Sequence, residues 1–343
     1  MKKIVTFGEI MLRLRAPGRE RLFQSPAFEA TFGGGEANVA VSLAILGESA
    51  SFVTALPANP VGEAALRSLH AWGVDVSNVR RAGSRTGIYF IEGGSDQRAS
   101  EVVYDRAGSA IAEAAPGDFD WKAIFRGADW FHVTGITPAL SRSAAETCLE
   151  AARAAREAGA KVSVDLNYRK KLWNYGVKAP EMMRGLAALA DVVIANEEDI
   201  QLGLGIEAPG ADPSKGELAA DTYRLLAERA KMELPNLSVV AITLRESWSA
   251  DRNGWSAALH GTQGFRTSRR YELLDIVDRV GGGDSFAAGL IFGLLEYGDE
   301  ARALEFAAAA SALKHTIPGD FNLATRAEVE RLVAGDASGR VSR

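Results

Sequence analysis

Asp278-Arg279-Val280-Gly281-Gly282-Gly283-Asp284-Ser285-Phe286-Ala287-Ala288-Gly289-Leu290 decides how the rest of the chain is read. Three consecutive glycines leave backbone N–H groups unshielded by side chains. A carboxylate follows at once, and the apolar, Ala-rich continuation reads as a helix. Glycines just ahead of a helix N-terminus make an anion cradle, because unpaired N–H groups and the positive end of the helix dipole point at one spot. An Asp on the rim of such a cradle can take a proton from a hydroxyl while the cradle holds developing phosphate charge. Taken alone, the run fits equally a flexible glycine loop in which Asp284 caps the helix.

Working outward, the 343 residues suffice for two average domains or one large α/β domain, and a single domain over 1–343 is expected here. Hydrophobic residues make up 47% and charged residues 24%, as in ordinary globular proteins with ample core. A net charge of -5 gives no electrostatic reason to expect nucleic acid or an anionic membrane as partner. An anionic substrate must then be held by locally placed cations and N–H groups. The single Cys148 excludes an internal disulfide and a thiolate metal cluster, and it reads as a buried thiol within a helix. The first residues lack a signal-length apolar run, since Glu9, Arg13 and Arg15 interrupt it, and no run approaches a membrane span. A cytoplasmic location is expected.

Along the chain, Ile4-Val5-Thr6-Phe7 is a short buried strand closed by Gly8. The stretch from Met11 to Phe32 mixes Arg13, Arg15, Pro17, Arg19 and Arg21 with isolated apolar residues, and reads as exposed strands and loops. Gly33-Gly34-Gly35-Glu36-Ala37-Asn38-Val39-Ala40 is a second glycine cluster opening a second helix, which Gly47 stops. Asn59-Pro60 caps and starts another helix. Thr86 to Ile91 and Glu101 to Arg106 are half-polar strands. With the arginine-rich segment they are expected to form one small β lid, made from about 11–32 and 86–107. From Trp130 onward, strands and helices alternate up to Val239-Val240-Ala241-Ile242-Thr243 and a hairpin, and two helices finish the chain before a small, polar tail. This is the pattern of an α/β fold, a mostly parallel sheet sandwiched between helices. Ligands in such folds sit beyond the carboxyl ends of the strands, where Asn167, Arg169, Asn196, Asp199, Thr243 and Asp284 gather.

Several chemistries drop out. There is no G-x-x-x-x-G-K-[ST], and the first strand leads to Gly8-Glu9 rather than to a dinucleotide fingerprint. The four His residues form no H-E-x-x-H pair and read as surface or structural. What remains is two glycine-rich helix starts, one Asp, and Arg106 and Arg169. That set suits phosphoryl transfer to a hydroxyl, which needs an alcohol held in line, a base, and groups that neutralise phosphate charge.

The Gly33–Ala40 and Asp278–Phe286 runs, in that order, resemble the two signatures of the ribokinase-like (PfkB) carbohydrate kinases, and the resemblance spans nearly the whole chain. Tyr104-Asp105-Arg106-Ala107-Gly108-Ser109-Ala110, Phe131 to Ser141 and Asp165 to Trp173 are most similar to members acting on 2-keto-3-deoxygluconate. The resemblance implies a Rossmann-like three-layer ribokinase fold and ATP-dependent phosphorylation of a terminal primary hydroxyl. It makes Asp284 the base and Gly281, Gly282 and Gly283 the anion hole. Gly34, Asn38, Tyr89, Tyr104, Arg106, Arg169, Asp284 and Asp320 would meet the sugar, Arg169 at its carboxylate because a planar fork matches that group. Asn167, Arg169, Asn196, Thr243, Arg245, Ser247, Gly281 and Gly283 would hold ATP. Asn196-Glu197-Glu198-Asp199 is similar to the family's N-x-x-E element for Mg²⁺, with Asp199 one methylene shorter than the usual Glu, and Arg245 stands where the family has Gly. Asp278 and the Val280 carbonyl match the place where many relatives hold a monovalent cation such as K⁺.

Bland readings compete with these. Tyr89 and Tyr104 suit strand packing, Arg106 a solvated charge, Asn196 and Asp199 a helix start, and Asn38 a local hydrogen bond. Glycine clusters are harder to dismiss, because Gly costs about 1 kcal/mol in regular structure. Two other functions stay open: a kinase for a neutral sugar such as fructose or ribose, and a sugar-binding relative without catalysis. The exposed edges of the lid favour a homodimer.

Overall fold

The computed structural model describes residues 1–196, 198–207 and 220–336; Glu197 and the tail past 336 lie outside the described residues. Runs of β-branched and aromatic residues between polar turns build one large sheet. Its strands lie in the order Gly264–Thr267, Asn253–Gly261, Val239–Ser247, Val192–Ala195, Lys161–Asp165, Trp130–Thr134, Lys3–Phe7 and Ser49–Val53, with Tyr271–Leu273 also paired to Asn253–Gly261. From Val239–Ser247 to Ser49–Val53 every neighbour is parallel, as the alternation of strands and helices requires, while the Asn253–Gly261 hairpin is antiparallel.

Because side chains alternate across a strand, each strand feeds two cores. Val5 and Phe7 join Phe131 and Val133 on one face, beneath helices Arg142–Glu157, Ala179–Ala187 and Ala220–Glu233. Ile4 and Trp130 face the other way, toward helices Gly35–Ile45, Gly282–Glu296 and Glu300–Lys314. The two glycine-opened helices therefore lie on one face, side by side, and Gly289 and Gly293 let the last two of the three pack backbone to backbone: a Cβ on Gly293 would sit 2.6 Å from the Ala303 Cα.

A second sheet runs Glu29–Gly33, Met11–Arg15, Ile88–Glu92, Glu101–Asp105, so the two half-polar segments share one small sheet. The reading of Met11 to Phe32 as exposed needs correction in one respect. Met11 and Arg13 point inward along their strand, and Arg13 is only 1% exposed. Its carboxylate partners are 265 and 307 residues away, beyond the reach of any local pattern. The Thr243–Ser247 segment, in which the resemblance put three ATP contacts, is the end of a strand: Thr243, Arg245 and Ser247 pair with Ala257, Trp255 and Asn253. Among the described residues no helix is long and apolar enough to cross a membrane.

Candidate active site

The two glycine-opened helices converge at their N-termini. The Asn38 amide, one turn into the first, donates to the Asp284 carboxylate at 2.7 Å, and the Asn38 Oδ1 accepts the Gly34 N–H at 3.2 Å. Gly34 cannot carry a side chain, because a Cβ there would lie 1.9 Å from the Glu9 carbonyl. At the second helix, Gly281 is the cap residue with φ 82, a left-handed conformation that glycine alone adopts without strain. Asp284 is thus in the first helical turn and makes no cap bond, which removes the capping alternative. The helix's own ladder starts with Ser285 N–H to Gly281 C=O, leaving the earlier N–H groups for a ligand. A Cβ on Gly283 would meet nothing within 4 Å, so this rung of the cradle faces open space.

That space is a cleft of about 300 Å³ at the carboxyl ends of the parallel strands. It brings together Gly34, Asn38, Tyr89, Tyr104, Arg106, Asn167, Arg169, Asn196, Asp199, Thr243, Arg245, the three glycines, Asp284 and Asp320. Ser247 and Asp278 are not part of the lining; Ser247 is exposed at the far end of its strand, past Arg245. The cleft wall also holds residues that the motifs did not single out: Glu9, Glu36, Asp165, Trp255 and Arg279. Glu9 and Asp165 stand at or just past strand carboxyl ends, where topology alone directs attention. Trp255 sits opposite Arg245, whose guanidinium lies 5.3 Å from its ring centroid.

Arg106 is no solvated charge. It is 8% exposed, and the Glu9 carboxylate takes its Nε at 2.7 Å and an Nη2 hydrogen, leaving the remaining guanidinium donors to other acceptors. Ser109 Oγ donates to the other Glu9 oxygen at 2.6 Å. Tyr89 is 3% exposed and gives its hydroxyl to Asp320 at 2.6 Å, whereas Tyr104 is 49% exposed with its ring against Tyr89 and the Arg106 guanidinium. Arg169 is exposed at the cleft wall.

Burial pushes the Asp284 carboxyl up to about 6; the Asn38 bond opposes this and the Asp320 charge adds to it. Asp284 is then mostly ionised at neutral pH yet basic enough to accept a proton. Burial also raises Glu36 to about 7 against hydrogen bonds from Thr134 and Thr137, and lifts Asp165 well above the carboxylate range with help from Asp199 and Asp284. His132 and His315 are buried and held down to about 3 and about 4, so both are neutral structural residues.

Asn196 and Asp199 form a reciprocal pair: Asp199 N–H donates to Asn196 Oδ1 at 2.8 Å and Asn196 N–H to Asp199 Oδ2 at 3.1 Å. The other Asp199 oxygen accepts the Tyr168 N–H at 2.9 Å. These bonds use the groups proposed as direct metal ligands, and among the described residues no three His, Cys, Asp or Glu are gathered to hold a metal. The donors fit a Mg²⁺ that keeps its waters and is carried on phosphates, met by this turn through water. A K⁺ at Asp278 fits less well. One oxygen of that carboxylate takes Arg13 at 2.5 Å and the Gly319 N–H at 3.1 Å, and the other takes the Val280 N–H at 3.1 Å.

Residues 1–324 match the model of the pfkB family carbohydrate kinases. The chain belongs to this family. It is 34% identical to the 2-dehydro-3-deoxygalactonokinase of Haloferax volcanii over 98% of both chains. It is 31% identical to the 2-dehydro-3-deoxygluconokinase of Bacillus subtilis, covering 93% of this chain and 91% of that one. The crystal structure of the Thermotoga maritima 2-dehydro-3-deoxygluconokinase superposes with a TM-score of 0.92 at 49% identity, over 97% of this chain and 98% of the other.

For this pfkB-family chain the buried Asp284 has a thermodynamic signature. Its folded-state value lies above the unfolded one, so the folded state binds the extra proton and stability falls as pH rises between about 4 and about 6. Ionising it costs roughly 3 kcal/mol at neutral pH by linkage. Asp284→Asn removes that cost. Its thermal midpoint should exceed the wild-type one at pH 7.5, with the gain shrinking toward pH 4; scanning calorimetry showing a pH-independent or reversed difference would refute the assignment.

Proposed function

We propose that the chain phosphorylates the terminal primary hydroxyl of a sugar acid, 2-keto-3-deoxygluconate, with ATP as donor. The observation that carries this reading is the cleft that holds a buried Asp284 beside an open glycine cradle and sets Arg169 and Arg106 within the same walls. The names of the Haloferax, Bacillus and Thermotoga relatives, all kinases of 2-dehydro-3-deoxy sugar acids, support it.

Asp284 accepts the hydroxyl proton as the sugar oxygen attacks the γ-phosphorus. Asn38 holds the carboxylate through its amide, so the lone pair used for the proton stays fixed in direction. The Gly282 and Gly283 N–H groups, at the positive end of their helix, receive the negative charge of the phosphoryl group in flight. Arg169, with the free donors of Arg106, meets the substrate carboxylate, while Tyr89, Tyr104, Gly34 and Asp320 shape the sugar pocket. Asn167, Asn196, Thr243 and Arg245 are the proposed ATP contacts, and Ser247 is left out of them. Mg²⁺ would supply neutralisation of phosphate charge, and Asn196 and Asp199 are the residues that would hold it.

One observation favours the neutral-sugar alternative: Glu9 compensates the charge of Arg106, so Arg169 is the less committed cation. The relatives also differ in the C4 configuration of the acids they are named for. ADP release with ATP and Mg²⁺ should therefore be measured with 2-keto-3-deoxygluconate, its galacto epimer, fructose and ribose. A kcat/KM at least about 100-fold higher for a sugar acid is expected, the scale of about 3 kcal/mol for a buried charged contact. Equal or higher values for fructose or ribose would move the substrate to the neutral class, and no turnover with any would remove the kinase assignment.

We also infer a homodimer formed through the lid. Every residue of the edge strand Glu101–Asp105 is exposed, including Val102 at 37% and Val103 at 46%, which is an unprotected edge for a lone molecule. Light scattering should give twice the chain mass, and Val103→Lys should lower it; a monomer at micromolar concentration would contradict the dimer.

A further inference from the structure

Arg13 is buried in the middle of a lid strand, yet both its Nη atoms leave the lid. Nη2 reaches Asp278 and Nη1 reaches Asp320, each at 2.5 Å. These two carboxylates are built into the glycine loop from opposite sides. Asp278 opens the loop and accepts the N–H groups of Val280 and Gly319. Asp320 is wedged between the two signatures. Its carbonyl lies against Gly281, where a Cβ would come within 2.1 Å, and its carboxylate lies against Gly33, where a Cβ would come within 1.9 Å. The second lid strand joins the same cluster through the Tyr89 hydroxyl.

Charge closes the set. Lys314 is 0% exposed, donates to the Ile317 carbonyl at 3.0 Å, and feels both Asp278 and Asp320. Two buried cations thus face two buried carboxylates. Burial alone would disfavour the Arg13 charge, and Asp320 and Asp278 outweigh it. Such a buried, paired cluster contributes little net stability, but it favours one arrangement of the elements that it joins.

We propose that Arg13 is a positioning residue that registers the sugar-binding lid against the phosphoryl-transfer loop, so that lid placement and cradle geometry change together. This rests on the kinase reading above. A displacement of the Met11–Arg15 strand moves Asp278 and Asp320, and with them Val280, Gly281 and Gly33. Lys is a poor substitute, since a compact ammonium lacks the rigid planar fork whose two ends reach the two carboxylates.

The test is Arg13→Lys, followed by hydrogen exchange of peptides covering 278–286 and 88–105, and by kcat at saturating 2-keto-3-deoxygluconate. In wild type, sugar should slow exchange in both peptides. In Arg13→Lys it should slow exchange only at 88–105, and saturated kcat per folded molecule should fall at least 20-fold. In the ligand-free variant, exchange at 278–286 should rise at least tenfold, an arm that holds even if the sugar acid proves not to be the substrate. Asp278→Asn, which leaves the Arg13–Asp320 arm in place, should show the same loop exchange and serves if Arg13→Lys does not fold. Loop exchange unchanged in both variants, or saturated kcat within threefold of wild type, would overturn the proposal.

Discussion

The hydrogen bond from Asn38 to Asp284 joins two helix starts that are 246 residues apart in the chain. For that bond to form, both helices must begin on the same face of the sheet and at the same height above its carboxyl edge. A crossover between the parallel strands Lys3–Phe7 and Ser49–Val53 carries the first helix there, and the antiparallel strands that end at Tyr271–Leu273 lead the chain into the second. Glycine then does the rest, because backbone can approach backbone at Glu9 and Gly34, and at Asp320 and Gly281, only where no Cβ intervenes. The result is a buried carboxylate in the same cleft as the open glycine turn.

Burying that carboxylate raises its proton affinity, and the surroundings decide by how much. Arg169 and Lys314 favour its ionised form and Asp320 disfavours it, leaving the group near 6, where a base is useful at neutral pH. Asp165, in the same wall, is also pushed up by burial and by the charges of Asp199 and Asp284, against Arg169 and the Asn167 N–H. The Arg13 cluster sets the distance between the lid and this arrangement, and its charge is balanced internally rather than by solvent.

Much of this was legible in the chain. The alternation from Trp130 onward gave the parallel sheet, the two glycine clusters gave both helix starts, and the strand carboxyl ends gave the edge at which Asn167, Arg169, Asn196 and Asp284 meet. Arg13 was misread because an arginine in a segment that also holds Arg15, Arg19 and Arg21 looks solvated until its distant carboxylates are known. Arg106 posed the same problem with Glu9 as its partner. Thr243–Ser247 was misplaced because its strand runs well past the last core residue, and only pairing with Asn253–Gly261 reveals that it continues. Asp199 was assigned to Mg²⁺ by resemblance to an N-x-x-E element, and its oxygens also accept backbone N–H groups that no motif records.

In the proposed reaction, ionised Asp284 removes the sugar proton during phosphoryl transfer. Single-turnover transfer from ATP to 2-keto-3-deoxygluconate, followed across pH 4.5 to 8.5 in wild type and Asp284→Asn, measures it directly. The wild-type rate should rise with an apparent pKa of about 6 and then level, and the variant should be slower by about 10²- to 10⁴-fold and flat with pH. A variant rate within tenfold of wild type, or one with the same rise near 6, would show that another group takes the proton.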